Sequence, residues 1–193
     1  MGGREEFLQI WQQHVTRPGS EKLLDWMDSK TDFFPAPAST RFHGACEGGL
    51  CMHSLNVYHA LHDTFFTEGD SEETFAICAL LHDLCKANYY KPGTRNVKNE
   101  ATGQWEKVPS YSVEDLFPYG HGEKSVFLIE RFMKLHIEEA VAIRWHMGGF
   151  DDAARGGCFA ISEAYDKYPL AVKLHIADLE ATYLMEHRTS AVR

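Results

Sequence analysis

A histidine followed directly by an aspartate, His82-Asp83, closes the apolar run Ala76-Ile77-Cys78-Ala79-Leu80-Leu81. An imidazole and a carboxylate beside a core-facing segment are costly to bury unless they are paired or bound to a cation. Neighbouring residues on a helix point ~100° apart. Both side chains therefore reach one ion only where the helix ends or bends, and Lys86-Ala87-Asn88 marks such an end. Asp178 is a second anomaly. It falls within the apolar stripe Leu170, Leu174, Ala181 and Met185 of a final helix, where a carboxylate seldom stays without a partner. A metal ion is the natural partner; a buried salt bridge or a capping contact is the alternative. His53 is a third candidate. It shares a helix with another His-Asp dipeptide, His62-Asp63, but the two histidines are nine residues apart and so on opposite faces. With His53 turned inward, His62-Asp63 is a solvated pair.

Such a cluster needs a frame, and the chain supplies mostly helices. Apolar residues at helical spacing (Phe7, Leu8, Trp11, Val15) predict a helix over 4–15, broken at Pro18-Gly19. Ser20 can cap a second helix running to Met27. Residues 30–49 are irregular, and a helix over about 50–66 carries His53. Asp70 and Glu73 read as a capping box opening a helix through about Lys86. Over 88–112, aromatic and β-branched residues alternate with charges and a turn falls at Ala101-Thr102-Gly103-Gln104, which predicts a β-hairpin insertion. Helices resume at about 123–135 and 138–146, the latter stopped by Gly148-Gly149. Pro169 suits the first turn of a last helix reaching about Glu186. The expectation is an all-α bundle with a small hairpin inserted at about 88–112, built as one domain over residues 1–193.

Composition narrows the function. A net charge of −9 argues against binding of long nucleic acid, which requires a basic surface. It leaves room for a small phosphorylated substrate, because salt screens a distant acidic surface beyond roughly 10 Å. No apolar run approaches the ~20 residues of a membrane span, and the N-terminal segment lacks the pattern of a signal peptide. The five cysteines form no Cys-x-x-Cys pair and read as reduced thiols of a cytoplasmic protein, with Cys46 and Cys51 as a redox pair the alternative. Eleven histidines are many for 193 residues. No Ser-His-Asp or Cys-His assembly and no phosphate-cradling glycine motif stands out.

Taken together, these residues resemble the HD superfamily, known for its His…His-Asp…Asp metal signature. The segment Gly48-Gly-Leu-Cys-Met-His53-Ser-Leu-Asn-Val is similar to its first-histidine helix, Leu80-Leu-His82-Asp83-Leu-Cys-Lys86 to its central motif, and Leu174-His-Ile-Ala-Asp178 to its closing motif. The resemblance spans most of the chain. In the subgroups that hold two metals, two further histidines stand between the central pair and the final aspartate. Here His121, in Gly120-His-Gly-Glu-Lys-Ser, and His146, in Ile143-Arg-Trp-His-Met, occupy that order. The resemblance thus implies metal ligation by His53, His82, Asp83, His121, His146 and Asp178, with Asp83 bridging two ions. Some relatives have two adjacent histidines where this chain has Trp145-His146, so His146 alternatively contacts substrate. Arg41-Phe-His43-Gly-Ala is similar to a stretch in HD exoribonucleases linked to OB-folds, but no such module fits in this chain.

The implied cofactor is one or two divalent transition ions (Fe, Mn, Ni, Co or Zn), which suit imidazole and carboxylate ligands better than Mg alone. Such ions acidify bound water and stabilise charge on a phosphoryl group. The expected function is therefore a metal-dependent phosphohydrolase cleaving a small phosphate ester, such as a nucleotide, with Asp83 and Lys86 at the chemistry. Lys86 is the first candidate for holding phosphate, and Lys124 and Arg144 are further ones. The hairpin carries Lys91, Arg95, Lys98 and Lys107 among Tyr89, Tyr90 and Trp105, either as a lid or as a solvated hairpin. Two other readings share the ligands: a di-iron oxygenase acting on a small alcohol or phosphonate, and a non-catalytic metal-containing binding protein.

Overall fold

The computed structural model describes residues 2–186. Helices α1 (Gly3–His14), α2 (Ser20–Lys30), α3 (Gly49–Phe65) and α4 (Glu72–Leu81) precede a two-stranded antiparallel sheet of β1 (Tyr90–Lys98) and β2 (Trp105–Val113). Helices α5 (His121–Glu130), α6 (Ile137–Trp145), α7 (Asp152–Arg155), α8 (Ala160–Lys167) and α9 (Pro169–Glu180) follow. The described chain is thus mostly helical with one small hairpin. None of its helices is long and apolar enough to cross a membrane.

The frame around the candidate residues is α3, α4, α6 and α9. α3 packs on α4 and α9, and α6 packs on α9 and α5. α4 is the innermost helix: every residue from Thr74 to Leu81 is buried, so apolar side chains all round it displace water on every face. α9 buries Leu170, Leu174 and Ala177 in the same core, to which α1 adds Phe7 and Trp11. Phe7, Phe33 and Phe34 pack edge to face at 5.3–5.4 Å, sealing α1 against the irregular segment before α3.

Several expectations need correction. The cap of α4 is Ser71, whose side chain accepts from Thr74 N at 3.2 Å, and no Asp70–Glu73 capping box forms. Asp70 instead accepts from Thr67, and Glu73 accepts from the backbone of Thr16 and Arg17. The α-helical part of this segment ends at Leu81, and a 3-10 turn over Leu84–Lys86 completes it. The final helix ends at Glu180 and passes into a π-turn, Ala181–Met185. Met185 therefore leaves the apolar stripe and is 40% exposed. Helices α7 and α8 fall in a stretch read as loop. They are short, α7 buries none of its residues and α8 only Ala164, so neither contributes a long apolar stripe to the core.

The hairpin forms as expected, with Tyr90 opposite Val113 and Lys98 opposite Trp105. Its turn, Asn99 to Gln104, closes on a backbone bond of 2.8 Å and passes Gly103 at φ 71°. Its stem touches the body where Tyr90 Oη donates to Ala38 O at 3.3 Å.

One buried ionic network fastens the frame. The Glu139 carboxylate is fully buried. It accepts from the Arg17 guanidinium (Nη2, 2.9 Å), Thr74 Oγ1 (2.9 Å) and His136 N (2.7 Å), which joins the α1–α2 loop, α4 and α6. Truncating one partner of a buried pair strands the other charge, at about 3–5 kcal/mol. Arg17→Ala is therefore expected to lower the urea midpoint by that free energy at unchanged slope, and adding Glu139→Gln to recover part of it, both read by equilibrium unfolding.

Candidate metal centre

The six candidate residues arrive from five places and meet between α3, α4, α6 and α9. His53 comes from the second turn of α3, and Asp178 from the C-terminal half of α9. His82 is the last αR residue of α4, and Asp83 follows it at φ −102°, ψ 19°. That conformation lies in the sparsely populated bridge region, and it breaks the helix so that both side chains turn to the same side. His146 occupies the matching place at the end of α6. His121 is the first residue of α5. Gly122 makes that approach possible, since a Cβ there would lie 2.2 Å from the Arg144 carbonyl oxygen.

Hydrogen bonds fix three of the imidazoles in one sense. His82 Nδ1 lies 2.8 Å from Ala79 O and His146 Nδ1 lies 2.7 Å from Ile143 O, so each donates to a carbonyl left over at its own helix end. His53 Nδ1 lies 2.8 Å from Glu186 Oε1. With each Nδ1 hydrogen committed, all three rings present an Nε2 lone pair to the interior. There His53 Nε2 and His82 Nε2 are 3.2 Å apart, and Asp178 Oδ1 is 3.2 Å from His53 Nε2. Asp83 divides its carboxylate between two groups. Oδ2 lies 3.5 Å from both His53 and His82, whereas Oδ1 lies 2.9 Å from His121 Nε2 and 3.6 Å from His146 Nε2.

Acceptors facing acceptors at these distances need positive charge between them. Protons meet part of the need. Burial opposes a charge on His53, but the Asp178 and Glu186 carboxylates outweigh it and raise the group to about 9. Burial likewise opposes a charge on His121, yet Cys85 and Asp83 raise it to about 10. His146 is different: burial, aided by charge on His82 and His121, lowers it, so it stays neutral. Its Nε2 is buried with no hydrogen-bond partner among the described residues, since 3.6 Å is too long for one. That orphaned lone pair, aimed at Asp83, fits a metal ion. Ligand atoms in each of the sets His53/His82/Asp83, His82/His146/Asp178 and Asp83/His121/His146 lie within 4.8 Å of one another, so these buried groups could hold a metal. Asp83 is held well below the usual carboxylate range. Its burial is outweighed by the Lys86 ammonium and the surrounding imidazoles. Asp178 is depressed too, chiefly by His53 against its burial.

A cavity of about 490 Å³ opens beside His121 and is lined by Cys85, Lys86, Tyr89, Lys124, Met147 and Phe150, among others. Lys86 Nζ binds Asp83 Oδ2 at 2.6 Å, and Lys124 Nζ binds Asp115 at 2.7 Å. Arg144 is ion-paired with Glu123 and Asp151, which line the cavity, but does not line it itself. None of Lys91, Arg95, Lys98 and Lys107 lines it; the hairpin contributes only its flanking residues Tyr89 and Asp115.

The dipeptide His62-Asp63 stays outside the cluster as expected, though its histidine is half-buried, stacked on Phe66 at 4.6 Å and 3.4 Å from Glu72. Asp63 is exposed. Three residues were missed by sequence reasoning. Cys85 Sγ lies 3.4 Å from His121 Nδ1, His43 packs its ring 5.1 Å from His53, and Glu186 holds the far nitrogen of His53. His43 lies inside the quoted Arg41–Ala45 stretch and Cys85 inside the quoted Leu80–Lys86 motif, whereas nothing quoted singled out Glu186 as a partner of the site. Comparison with protein-family models, curated protein sequences and solved structures found no match for this chain.

Protons and metal compete for the same lone pairs, which sets a pH dependence. In metal-free protein the raised His53 and His121 stabilise the fold fully below ~6.5, the unfolded histidine value. That contribution is lost as pH rises through about 9 and about 10. The depressed Asp83 and Asp178 stabilise it above ~4 and lose this on acidification. Metal uptake should therefore release protons, and the rise in melting temperature on adding Mn²⁺ or Zn²⁺ should be larger at pH ~8.5 than at pH ~6. Scanning calorimetry across that range checks it.

Proposed function

We propose that this chain is a metal-dependent phosphohydrolase of the HD type that cleaves a small phosphate ester, such as a nucleotide, with Asp83 between two metal positions. The observation carrying this reading is the divided carboxylate of Asp83: one oxygen faces His53 and His82, the other His121 and His146. Asp178 completes the first group. Four imidazoles and two carboxylates suit Fe, Mn, Co, Ni or Zn. When bound, such ions supply Lewis-acid stabilisation of phosphoryl oxygens and acidify a bound water.

The chain's own residues do the rest. Lys86 and Lys124 bring two ammonium groups to the wall of the cavity that adjoins His121, where they can take phosphate oxygens. Lys86 also neutralises Asp83, so a phosphate arriving there meets an ammonium before a carboxylate. Arg144, its guanidinium held by Glu123 and Asp151, braces that wall in place of touching substrate. Tyr89, Met147 and Phe150 supply apolar surface for an organic group, and about 490 Å³ suits a small molecule. The paired lysines favour a phosphorylated substrate over the alcohol of a di-iron oxygenase.

Asp83→Ala is expected to lose bound metal and phosphate-ester hydrolysis together, by elemental analysis and a phosphate-release screen. Lys86→Ala should keep its metal and raise KM for the same ester. Full metal in Asp83→Ala would refute the centre. Metal-replete wild type with no turnover on any ester would refute the hydrolase, and a mixed-valent iron signal with oxygen consumption would replace it by the oxygenase.

A further inference from the structure

His82 and His146 orient themselves, because each sits at a helix end where a carbonyl is free to accept its Nδ1 hydrogen. His53 has no such carbonyl. It lies inside α3, where the upstream carbonyls are engaged in the helix ladder. Its acceptor comes from the other end of the described chain. After α9 the backbone widens into the π-turn Ala181–Met185, closed by Glu186 N to Ala181 O at 2.9 Å. Single π-turns recur at functional sites, and the effect of this one is to return the chain to His53. Asp178 and Glu186 consequently hold one imidazole from both sides, Asp178 Oδ1 at 3.2 Å from Nε2 and Glu186 Oε1 at 2.8 Å from Nδ1. The Glu186 side chain is only 9% exposed, and Asn56 Nδ2 donates to the same Oε1 at 3.1 Å. Its second oxygen is buried without a hydrogen-bond partner among the described residues. An acid with no task beyond solubility would not be buried in that state.

We propose that Glu186 is a positioning residue of the metal centre: it accepts the Nδ1 hydrogen of His53 and so fixes the tautomer and ring angle that present Nε2 to the ion. This rests on reading the cluster as a metal centre. An acceptor at the remote nitrogen of a ligating histidine also raises the ligand's basicity, and losing it lowers metal affinity typically 10–100-fold.

The test uses the full chain and Co²⁺ alone, with affinity measured by chelator competition and geometry by the visible absorption of the bound ion. Glu186→Ala is expected to bind Co²⁺ about 10–100-fold more weakly with an altered spectrum. Glu186→Gln, which keeps an acceptor, recovers most of that loss. Leu184→Ala, at an exposed position of the same turn, behaves as wild type. Glu186→Leu serves as the acceptor-free variant should the alanine form not fold. Wild-type affinity and spectrum in the acceptor-free variant, or a glutamine variant as weak as it, would overturn the positioning role alone. A wild-type chain that takes up no Co²⁺ would overturn the metal centre and this role with it.

Discussion

The structure depends on how three buried imidazoles have disposed of their hydrogens. His53, His82 and His146 each commit Nδ1 to a fixed acceptor outside the cluster, so each brings a lone pair inward. Asp83 and Asp178 bring more. A protein interior tolerates such convergence of acceptors only around positive charge. Protons on His53 and His121 supply some, and Lys86 on Asp83 supplies some. The lone pair of His146 is left over, with no hydrogen-bond partner among the described residues, and the cluster around it could hold a metal ion.

That convergence is made by helix ends. Residues inside a helix fan out at ~100° intervals, and no helix interior can aim two neighbours at one point. α4 solves this by stopping at His82 and bending at Asp83, and α6 repeats the device at His146. The carbonyls left over at both ends become orienting groups for the rings. Far from the cluster, Glu139 and Arg17 fasten α4 and α6 to the α1–α2 loop. The separation of the two helix ends is thus set partly by an ion pair that shares no atom with the site.

What the sequence disclosed, and what it hid, follows from the same physics. His82-Asp83 and Asp178 stood out because each puts a polar group where periodicity demands an apolar one. The helical frame and the hairpin were legible from spacing and turn residues, as Pro169 and Gly103 illustrate. Asp70 and Glu73 misled, because a capping-box spacing is common and Ser71 sits one residue nearer the helix. Glu186 was silent. It lies beyond the helix that carries Asp178, and its direction depends on a π-turn that no local pattern announces. Cys85 read as a small apolar residue, and only the placement of α5 puts His121 beside it. The ordering of the candidate ligands is local information, and so is the nitrogen that His82 and His146 present; the nitrogen that His53 presents is set by tertiary structure.

The hairpin stands between the second and third groups of candidate ligands in the chain, yet its strands pair only with each other. Its stem, where Tyr89 O accepts from Glu114 N, is its fixed point, and the tip at 100–104 is exposed. Length can therefore be added or removed at that tip without changing the distance between Asp83 and His121. The segment is a natural port for grafting. A reporter or an affinity handle inserted there would travel with the end of the molecule that carries the His/Asp cluster while leaving its geometry alone, and chains of this design are free to diverge most where the fold has least at stake.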